Sequence, residues 1–329
     1  MNQEFENEIL QNMLRYLNNN QMDVLKKVLE HAMFQRQVIE LESHVEPVSD
    51  NALMLQEFLA AKKIEGCSEK SLKYYSVTIK TIFDRISKNL RDITTDDLRN
   101  YLTTYQQERE SSKVTIDNIR RILSSFFSWL EDEDYILKSP VRRIHKVKTA
   151  FIIKDTYTDE ALEKMRDSCT EARDLALIDL LASTGMRVGE LVLLNRNDIN
   201  FEERECIVFG KGSKERIVYF DARSKIHLQN YLESRQDENQ ALFVTLRKPY
   251  NRLTIGGVER RLRNFGIALE IPNVHPHKFR RTLATMAIDK GMPIEQLKQL
   301  LGHKRIDTTL QYAMVKQSNV KMAHRKYIG

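Results

Sequence analysis

Apolar side chains recur at intervals of three and four residues through the first half of the chain. Around residues 70–90 they are Leu72, Tyr75, Ile79, Ile82, Phe83, Ile86 and Leu90. Between 112 and 133 they are Ile116, Ile119, Leu123, Phe126, Phe127 and Leu130. This spacing gives each segment one apolar face. A further helix near 50–63 and a helix start at Thr94, where a hydroxyl cap precedes two acidic residues, complete a predicted four-helix unit over about 50–135.

The pattern becomes mixed in the second half of the chain. The predicted elements are helices at 158–168 and 171–184, strands at 205–209 and 216–220, a candidate third strand at 241–245, and further helices from about 254. Gly185 ends the second of these helices as a C-cap. The first two β-prone runs flank a glycine-containing turn, which is typical of a hairpin or a meander. The sequence therefore predicts a mainly α fold with a small antiparallel sheet (α+β).

Charge is distributed unevenly along the 329 residues. The chain has 52 Lys and Arg against 46 Asp and Glu, a formal charge of +6. Residues 1–46 carry eight acidic and four basic residues, so the remainder carries +10. The positive charge is concentrated in two stretches, residues 138–148 and 247–281. Basic stretches of this kind suit a polyanion such as DNA. The acidic segment, predicted to form helices at 3–18 and 22–42, is expected to pack against protein rather than phosphate.

Several classes of protein are disfavoured. No apolar run approaches the roughly 18 residues of a membrane span, and no signal peptide is visible, so we expect a cytoplasmic protein. Three widely spaced cysteines, Cys67, Cys169 and Cys206, argue against a disulfide framework or a zinc site. A nucleotide-binding Gly-x-x-x-x-Gly-Lys-[Ser/Thr] loop and a His-Glu-x-x-His site are both missing. The sequence thus predicts no metal and no cofactor.

Four short motifs combine arginine, lysine, histidine and tyrosine in a fixed order. Thr-Gly-Met-Arg-x-Gly-Glu-Leu contains Arg187, and Gly-Lys-Gly-x-Lys-x-Arg contains Lys211 in the predicted hairpin turn. His-x-x-Arg places His277 and Arg280 on one face of a starting helix. Leu-Leu-Gly-His ends at His303, and Tyr312 follows nine residues later. Each motif alone is weak, and a lone tyrosine or lysine would more often be a packing or turn residue.

Together, in this order, the motifs resemble those of the tyrosine recombinase family, the phage-type integrases and Xer-like proteins. The resemblance spans about 50–329 and implies a two-domain DNA clamp. Its expected segments are an acidic helical extension at 1–46, a helical core-type DNA-binding domain at 47–137, a basic linker at 138–150, expected to be extended, and a catalytic domain at 151–329 with a C-terminal oligomerisation tail.

The resemblance also implies roles for the six motif residues. A tyrosine hydroxyl, with a pKa near 10, is a poor nucleophile at neutral pH unless assisted. Tyr312 would attack the scissile phosphate and form a 3′-phosphotyrosine, while Arg187 and Arg280 would hold the non-bridging oxygens. Lys211 would protonate the leaving 5′ oxygen. His277 would assist proton transfer at the tyrosine, and His303 would hydrogen-bond the phosphate.

Ten further basic residues are candidates for DNA contact: Lys70, Lys73, Lys113, Arg120, Arg121, Arg142, Arg143, Lys146, Lys214 and Arg216. The expected partners are double-stranded DNA with inverted core half-sites and three further copies of the chain assembled through the tail, in a bacterial cytoplasm. An accessory protein is a further candidate partner. Two alternatives stay open. One is a type IB topoisomerase-like nicking and closing enzyme, and the other is a DNA-binding protein with an inert catalytic set.

Overall fold

The computed structural model describes residues 2–13, 16–34, 50–149, 155–210, 215–312 and 328. The chain forms two compact units, Met1–Ala150 and Phe151–Gly329. The α-helices of the first unit are α1 (Asn2–Met13), α2 (Asn19–Met33), α3 (Asp50–Ile64), α4 (Glu69–Arg85), α5 (Thr95–Glu108) and α6 (Lys113–Asp132). Helices α3–α6 are the four helices predicted over about 50–135, and the structure confirms them.

Local signals set where these helices begin. Ser68 and Ser112 cap α4 and α6, each accepting a hydrogen bond from a backbone N–H three residues later. Thr94 caps α5 in a capping box, in which Asp97 accepts a hydrogen bond from the Thr94 N–H at 2.9 Å. The predicted helix start at Thr94 is therefore confirmed.

Aromatic side chains fill the centre of this four-helix unit. Phe58 is fully buried, and its ring meets Phe126 edge-on with 5.1 Å between centroids. Trp129 packs against the same ring at 5.6 Å. The apolar side chains of α3 and α6 therefore pack against one another.

Helices α1 and α2 differ from the rest of the first unit. Both were predicted as longer helices, and residues 35–49 lie outside the described part of the chain. Asn18 and Gln21 form a capping box at the start of α2. No described residue of α2 is buried. Its formation therefore owes more to its cap than to a shared core.

The predicted extended linker contains a helical turn. Pro140–Arg143 forms a 3₁₀ turn, with proline at its first position, where a missing N–H costs nothing. Val141 is 2% exposed and belongs to the core of the first unit, and the Val147 N–H donates to Asp117 at 3.1 Å. The prediction of an extended segment is therefore wrong at 140–143, where burial of Val141 favours the turn.

The second unit contains eight α-helices and three strands among its described residues. They are α7 (Asp159–Asp167), α8 (Ala172–Thr184), α9 (Val188–Leu191), β1 (Ile199–Asn200), β2 (Glu205–Phe209), β3 (Glu215–Tyr219), α10 (Ala222–Glu233), α11 (Ile255–Ala268), α12 (Pro276–Asp289), α13 (Ile294–Leu301) and α14 (Asp307–Leu310). The predicted helices at 158–168 and 171–184 and the helical segment after 254 are confirmed.

The sheet is antiparallel, in the order β1-β2-β3. Cys206 pairs with Val218, and both are buried against the helices. The predicted third strand at 241–245 is wrong, because this segment forms only isolated bridges, and the third strand is β1. Residues 241–244 are apolar and buried. A short apolar run of this kind does not distinguish a strand from a buried loop.

Helix α8 runs through the core of the second unit. Its two acidic residues, Asp174 and Asp179, are each 1% exposed and each meet an arginine at 2.6 Å, Arg261 and Arg166 respectively. Gly185 ends the helix in the left-handed conformation, with φ of 58°. The chain therefore turns sharply just before Arg187. No helix in the described ranges is both long enough and apolar enough to cross a bilayer.

Candidate active site

Arg187 lies at the N-cap of α9, where the turn at Gly185 has redirected the chain. Its backbone N–H donates to Glu190 Oε2, and its Nη1 donates to Glu190 Oε1, both at 2.8 Å. Its other terminal nitrogen, Nη2, reaches the Gly302 carbonyl at 3.3 Å. The side chain stays 38% exposed. The guanidinium is therefore held in place while remaining open to solvent.

Arg280 projects from the second turn of α12 and is 3% exposed. Its Nη1 donates to the Gly185 carbonyl at 2.8 Å, and its Nη2 donates to the Leu301 carbonyl. Because Leu301 and Gly302 are adjacent, the carbonyls that receive Arg280 and Arg187 are neighbours. Burial, with the positive charges of Arg187 and Arg216, lowers the pKa of Arg280 to about 10.

His277 occupies the first turn of α12, one turn before Arg280. Partial burial of its ring, followed by the charges of Arg280 and Arg187, lowers its pKa. The ring is therefore neutral at pH 7, so that one nitrogen can accept a proton. The adjacent Lys278 points away into the protein, where it binds Asp155 and the Pro272 carbonyl.

His303 and Tyr312 are brought together by the short helix α14. Their rings are stacked, with 5.9 Å between centroids and 27° between planes. His303 Nδ1 is 2.8 Å from the hydroxyl of the fully buried Thr309. Burial and the charges of Arg280 and Arg187 lower the pKa of His303 to about 4. The negative charge of a Tyr312 phenolate would raise the pKa of Arg280, against the effect of burial.

The hairpin residues divide between described and undescribed positions. Lys211 and Lys214 lie outside the described residues, between the end of β2 and the start of β3. Arg216, in β3, is 12% exposed and binds Glu190 at 2.6 Å and the Leu300 carbonyl at 2.9 Å. The predicted catalytic role of Lys211 stays a prediction.

Most candidate DNA-contact residues of the first unit are on its surface. The exposed ones are Lys70, Lys73, Lys113, Arg121, Arg142, Arg143 and Lys146. Arg120 differs, because its side chain is 15% exposed and its Nε donates to Asp117 at 2.8 Å. Arg142 pairs with Glu131 at 3.2 Å but remains 66% exposed. Their contacts with DNA stay predictions.

Glu190 is a site residue for which the sequence predicts no role. Its side chain is 4% exposed and binds both Arg187 and Arg216. Its position three residues after Arg187, in the first turn of a helix, is the signal that could have indicated a pair. Across the described ranges, no group of three or more His, Cys, Asp or Glu side chains is placed to hold a metal ion.

Comparison with known proteins gives the family. Residues 153–319 match the phage integrase family, and residues 54–137 match the phage integrase N-terminal SAM-like domain. A tyrosine recombinase XerC from Leptospira interrogans is 30% identical over 289 residues, covering 82% of this chain and 91% of the relative. One from Oceanobacillus iheyensis is 29% identical over 291 residues, covering 83% and 95%.

Solved structures share the fold. The XerH site-specific recombinase bound to palindromic difH has a TM-score of 0.67 at 20% identity, covering 97% of this chain and 94% of that one. A lambda integrase dimer on a COC′ core site has a TM-score of 0.67 at 21% identity, covering 79% and 94%. On the strength of the family match and the XerC relatives, the chain belongs to the phage integrase family and is a tyrosine-type site-specific DNA recombinase.

Proposed function

We propose that this recombinase cuts and rejoins DNA through a 3′-phosphotyrosine formed on Tyr312. The observation that carries the proposal is the convergence of Arg187 and Arg280 on the adjacent carbonyls of Leu301 and Gly302. A phosphate bound beside them would meet two guanidinium groups whose positions are already fixed, and planar guanidinium groups can bind its non-bridging oxygens in pairs. Preorganised charge of this kind stabilises a phosphoryl-transfer transition state.

The reaction balances without an external energy source. The Tyr312 oxygen attacks phosphorus, the bond from phosphorus to O5′ breaks, and O5′ leaves with a proton from Lys211. The tyrosine proton passes to the neutral His277, and His303 hydrogen-bonds a non-bridging oxygen. One phosphodiester replaces another, so a 5′-hydroxyl can reverse the step without ATP. No metal or cofactor takes part in this scheme.

The proposed assembly is a tetramer, with two protomers on each of two DNA sites that carry inverted half-sites. Support comes from the chemistry, since exchange requires two cleaved duplexes held together. We assign the tail after Tyr312 to contact with a neighbouring protomer, and the exposed basic residues of the first unit, with Lys214, to phosphate contacts. An accessory protein would set direction. The named relatives are bacterial, and we place the reaction in a bacterial cytoplasm.

Covalent trapping tests the proposal. Purified protein is incubated with labelled, nicked duplexes taken from DNA flanking its gene, because a nick lets the cleaved end diffuse away and the intermediate accumulate. The expected product is a protein-linked 3′ end on a denaturing gel that is absent with Tyr312→Phe. This conservative control retains the ring that stacks on His303 and removes only the hydroxyl.

The outcomes separate the alternatives. Strand exchange between two such duplexes supports the recombinase, whereas nicking and closing without exchange supports the topoisomerase-like alternative. Specific retardation on a native gel without any covalent product supports the inert binder. A covalent product that persists with Tyr312→Phe contradicts the assignment of the nucleophile.

A further inference from the structure

Arg216 occupies an unusual place for a charged residue. It pairs across the hairpin with Val208, so its side chain shares the inner face of the sheet with Val208 and Val218, both of which are buried. A charge on such a face is costly unless its hydrogen bonds are made within the protein. The sequence motif predicts a phosphate contact for Arg216, which requires an outward side chain.

The hydrogen-bond partners of Arg216 connect it to Arg187. Nη2 donates to Glu190 Oε2 at 2.6 Å, while Glu190 Oε1 receives Arg187 Nη1 at 2.8 Å. One carboxylate, 4% exposed, thus bridges two guanidinium groups. The orientation of Arg187 therefore depends on a carboxylate whose own position depends on Arg216.

A second set of contacts joins Arg216 to the turn that precedes His303. Nη1 donates to the Leu300 carbonyl at 2.9 Å. A Cβ added at Gly302 would lie 2.6 Å from Arg216 Cδ and 2.7 Å from Nε, so the stem of Arg216 fills the space that glycine leaves. The carbonyl of that same glycine accepts a hydrogen bond from Arg187. Arg216 therefore contacts both structural elements that hold Arg187.

We propose that Arg216 is a positioning residue for transesterification: it fixes Glu190 and the Gly302 turn, and through them the guanidinium of Arg187. The inference rests on the proposed function and deepens it. It replaces the earlier assignment of Arg216 as a direct phosphate contact. Lysine cannot substitute, because one ammonium cannot supply the planar fork that reaches Glu190 and Leu300 together.

The test compares Arg216→Lys with wild type in single-turnover cleavage of the nicked duplex at saturating protein. We expect the first-order rate constant to fall by about 10- to 100-fold, the loss expected when a catalytic group is misplaced by about 1 Å. Half-site affinity should stay within about 3-fold. The dependence of that affinity on salt should not change, since Arg216 neutralises no phosphate.

Arg166→Lys is the matched control. Arg166 binds Asp179 at 2.6 Å, and their side chains are 14% and 1% exposed. Arg216 binds Glu190 at the same distance, and their side chains are 12% and 4% exposed. Both substitutions weaken a buried ion pair. The partners of Arg166, however, are Asp179 and Glu163, which lie away from Arg187 and Arg280. A purely structural role would lower the cleaved fraction and the melting temperature in both variants, without lowering the rate constant of the folded fraction.

A double-mutant cycle with Glu190→Gln tests the route. If Arg216 acts through Glu190, the second substitution should add little to the loss caused by the first. The rate constant of the double variant should then be well above the value obtained by multiplying the two separate fold-losses. Independent losses that multiply would overturn that route. Weaker half-site binding with a salt slope reduced by about one would overturn positioning in favour of phosphate contact. If Arg216→Lys cleaves with the wild-type rate constant, the inference about Arg216 is overturned, whereas cleavage by the wild type still supports the proposed function. Absence of Tyr312-dependent product from wild type would overturn both.

Discussion

Glu190 offers a sharp test of how the candidate site is held together before DNA binds. Its carboxylate is 4% exposed and lies 2.8 Å from Arg187 and 2.6 Å from Arg216. Removing one partner of a buried ion pair costs about 3–5 kcal/mol, because the remaining charge stays desolvated. Glu190→Gln keeps one acceptor oxygen, and Arg187 is 38% exposed, so water can solvate part of it. We therefore expect a destabilisation of about 2–3 kcal/mol.

Hydrogen exchange followed by mass spectrometry measures this cost where it arises. The amides of Leu191 and Val192, which donate to the carbonyls of Arg187 and Val188, report on the opening of α9. A loss of about 2–3 kcal/mol corresponds to exchange roughly 30- to 150-fold faster, since each 1.4 kcal/mol is tenfold. Peptides of the helical unit, around Trp129, should exchange at the wild-type rate. Equal protection of α9 in the variant would refute the bridging role of Glu190.

Three other predictions concern separate parts of the chain. The pKa of His303, about 4, lies below its unfolded value near 6.5, so the unfolded chain binds the proton first, and stability should be lost as pH falls from about 6.5 to 4. The loss, roughly 1–2 kcal/mol for a partly exposed ring, should be absent from His303→Gln in denaturation at each pH. Phe58→Ala should cost the helical unit about 3–5 kcal/mol, read by the fluorescence of Trp129, the only tryptophan. Gly302→Ala should slow cleavage at unchanged half-site affinity, because φ of 63° is strained for alanine and its Cβ would displace Arg216.

The sequence predicted those elements whose cause is local. Apolar spacing and the cap at Thr94 gave the helices of the first unit, and the glycine-containing turn between two β-prone runs gave the hairpin. The missed elements depend on burial that no short window reveals. Val141 enters the core of the first unit and bends a segment expected to be extended, and the apolar run at 241–245 is a buried loop.

The site shows the same division. Motif order placed Arg187, Arg280, His303 and Tyr312 in one unit, and the structure brings them to one turn. The inward direction of Arg216 could not be read from its motif, because the pairing register decides which face a strand residue occupies. Lysine and arginine near a predicted DNA site invite assignment as phosphate contacts, and only side-chain burial separates a contact from an internal support.

Arg187 and Arg280 stabilise the fold of this site as well as supplying positive charge. Arg280 binds the carbonyl that ends α8 and the carbonyl that ends α13, and Arg187 binds the next carbonyl along the same turn. Carbonyl oxygens left unpaired at helix ends need donors, and these guanidinium groups supply them. Their positions are therefore fixed by the fold before any phosphate arrives, so little conformational entropy remains to be lost on binding DNA. Lysine could therefore replace neither arginine, because a single ammonium could neutralise the phosphate but could not also make both contacts, to Gly185 and Leu301 for Arg280 and to Glu190 and Gly302 for Arg187.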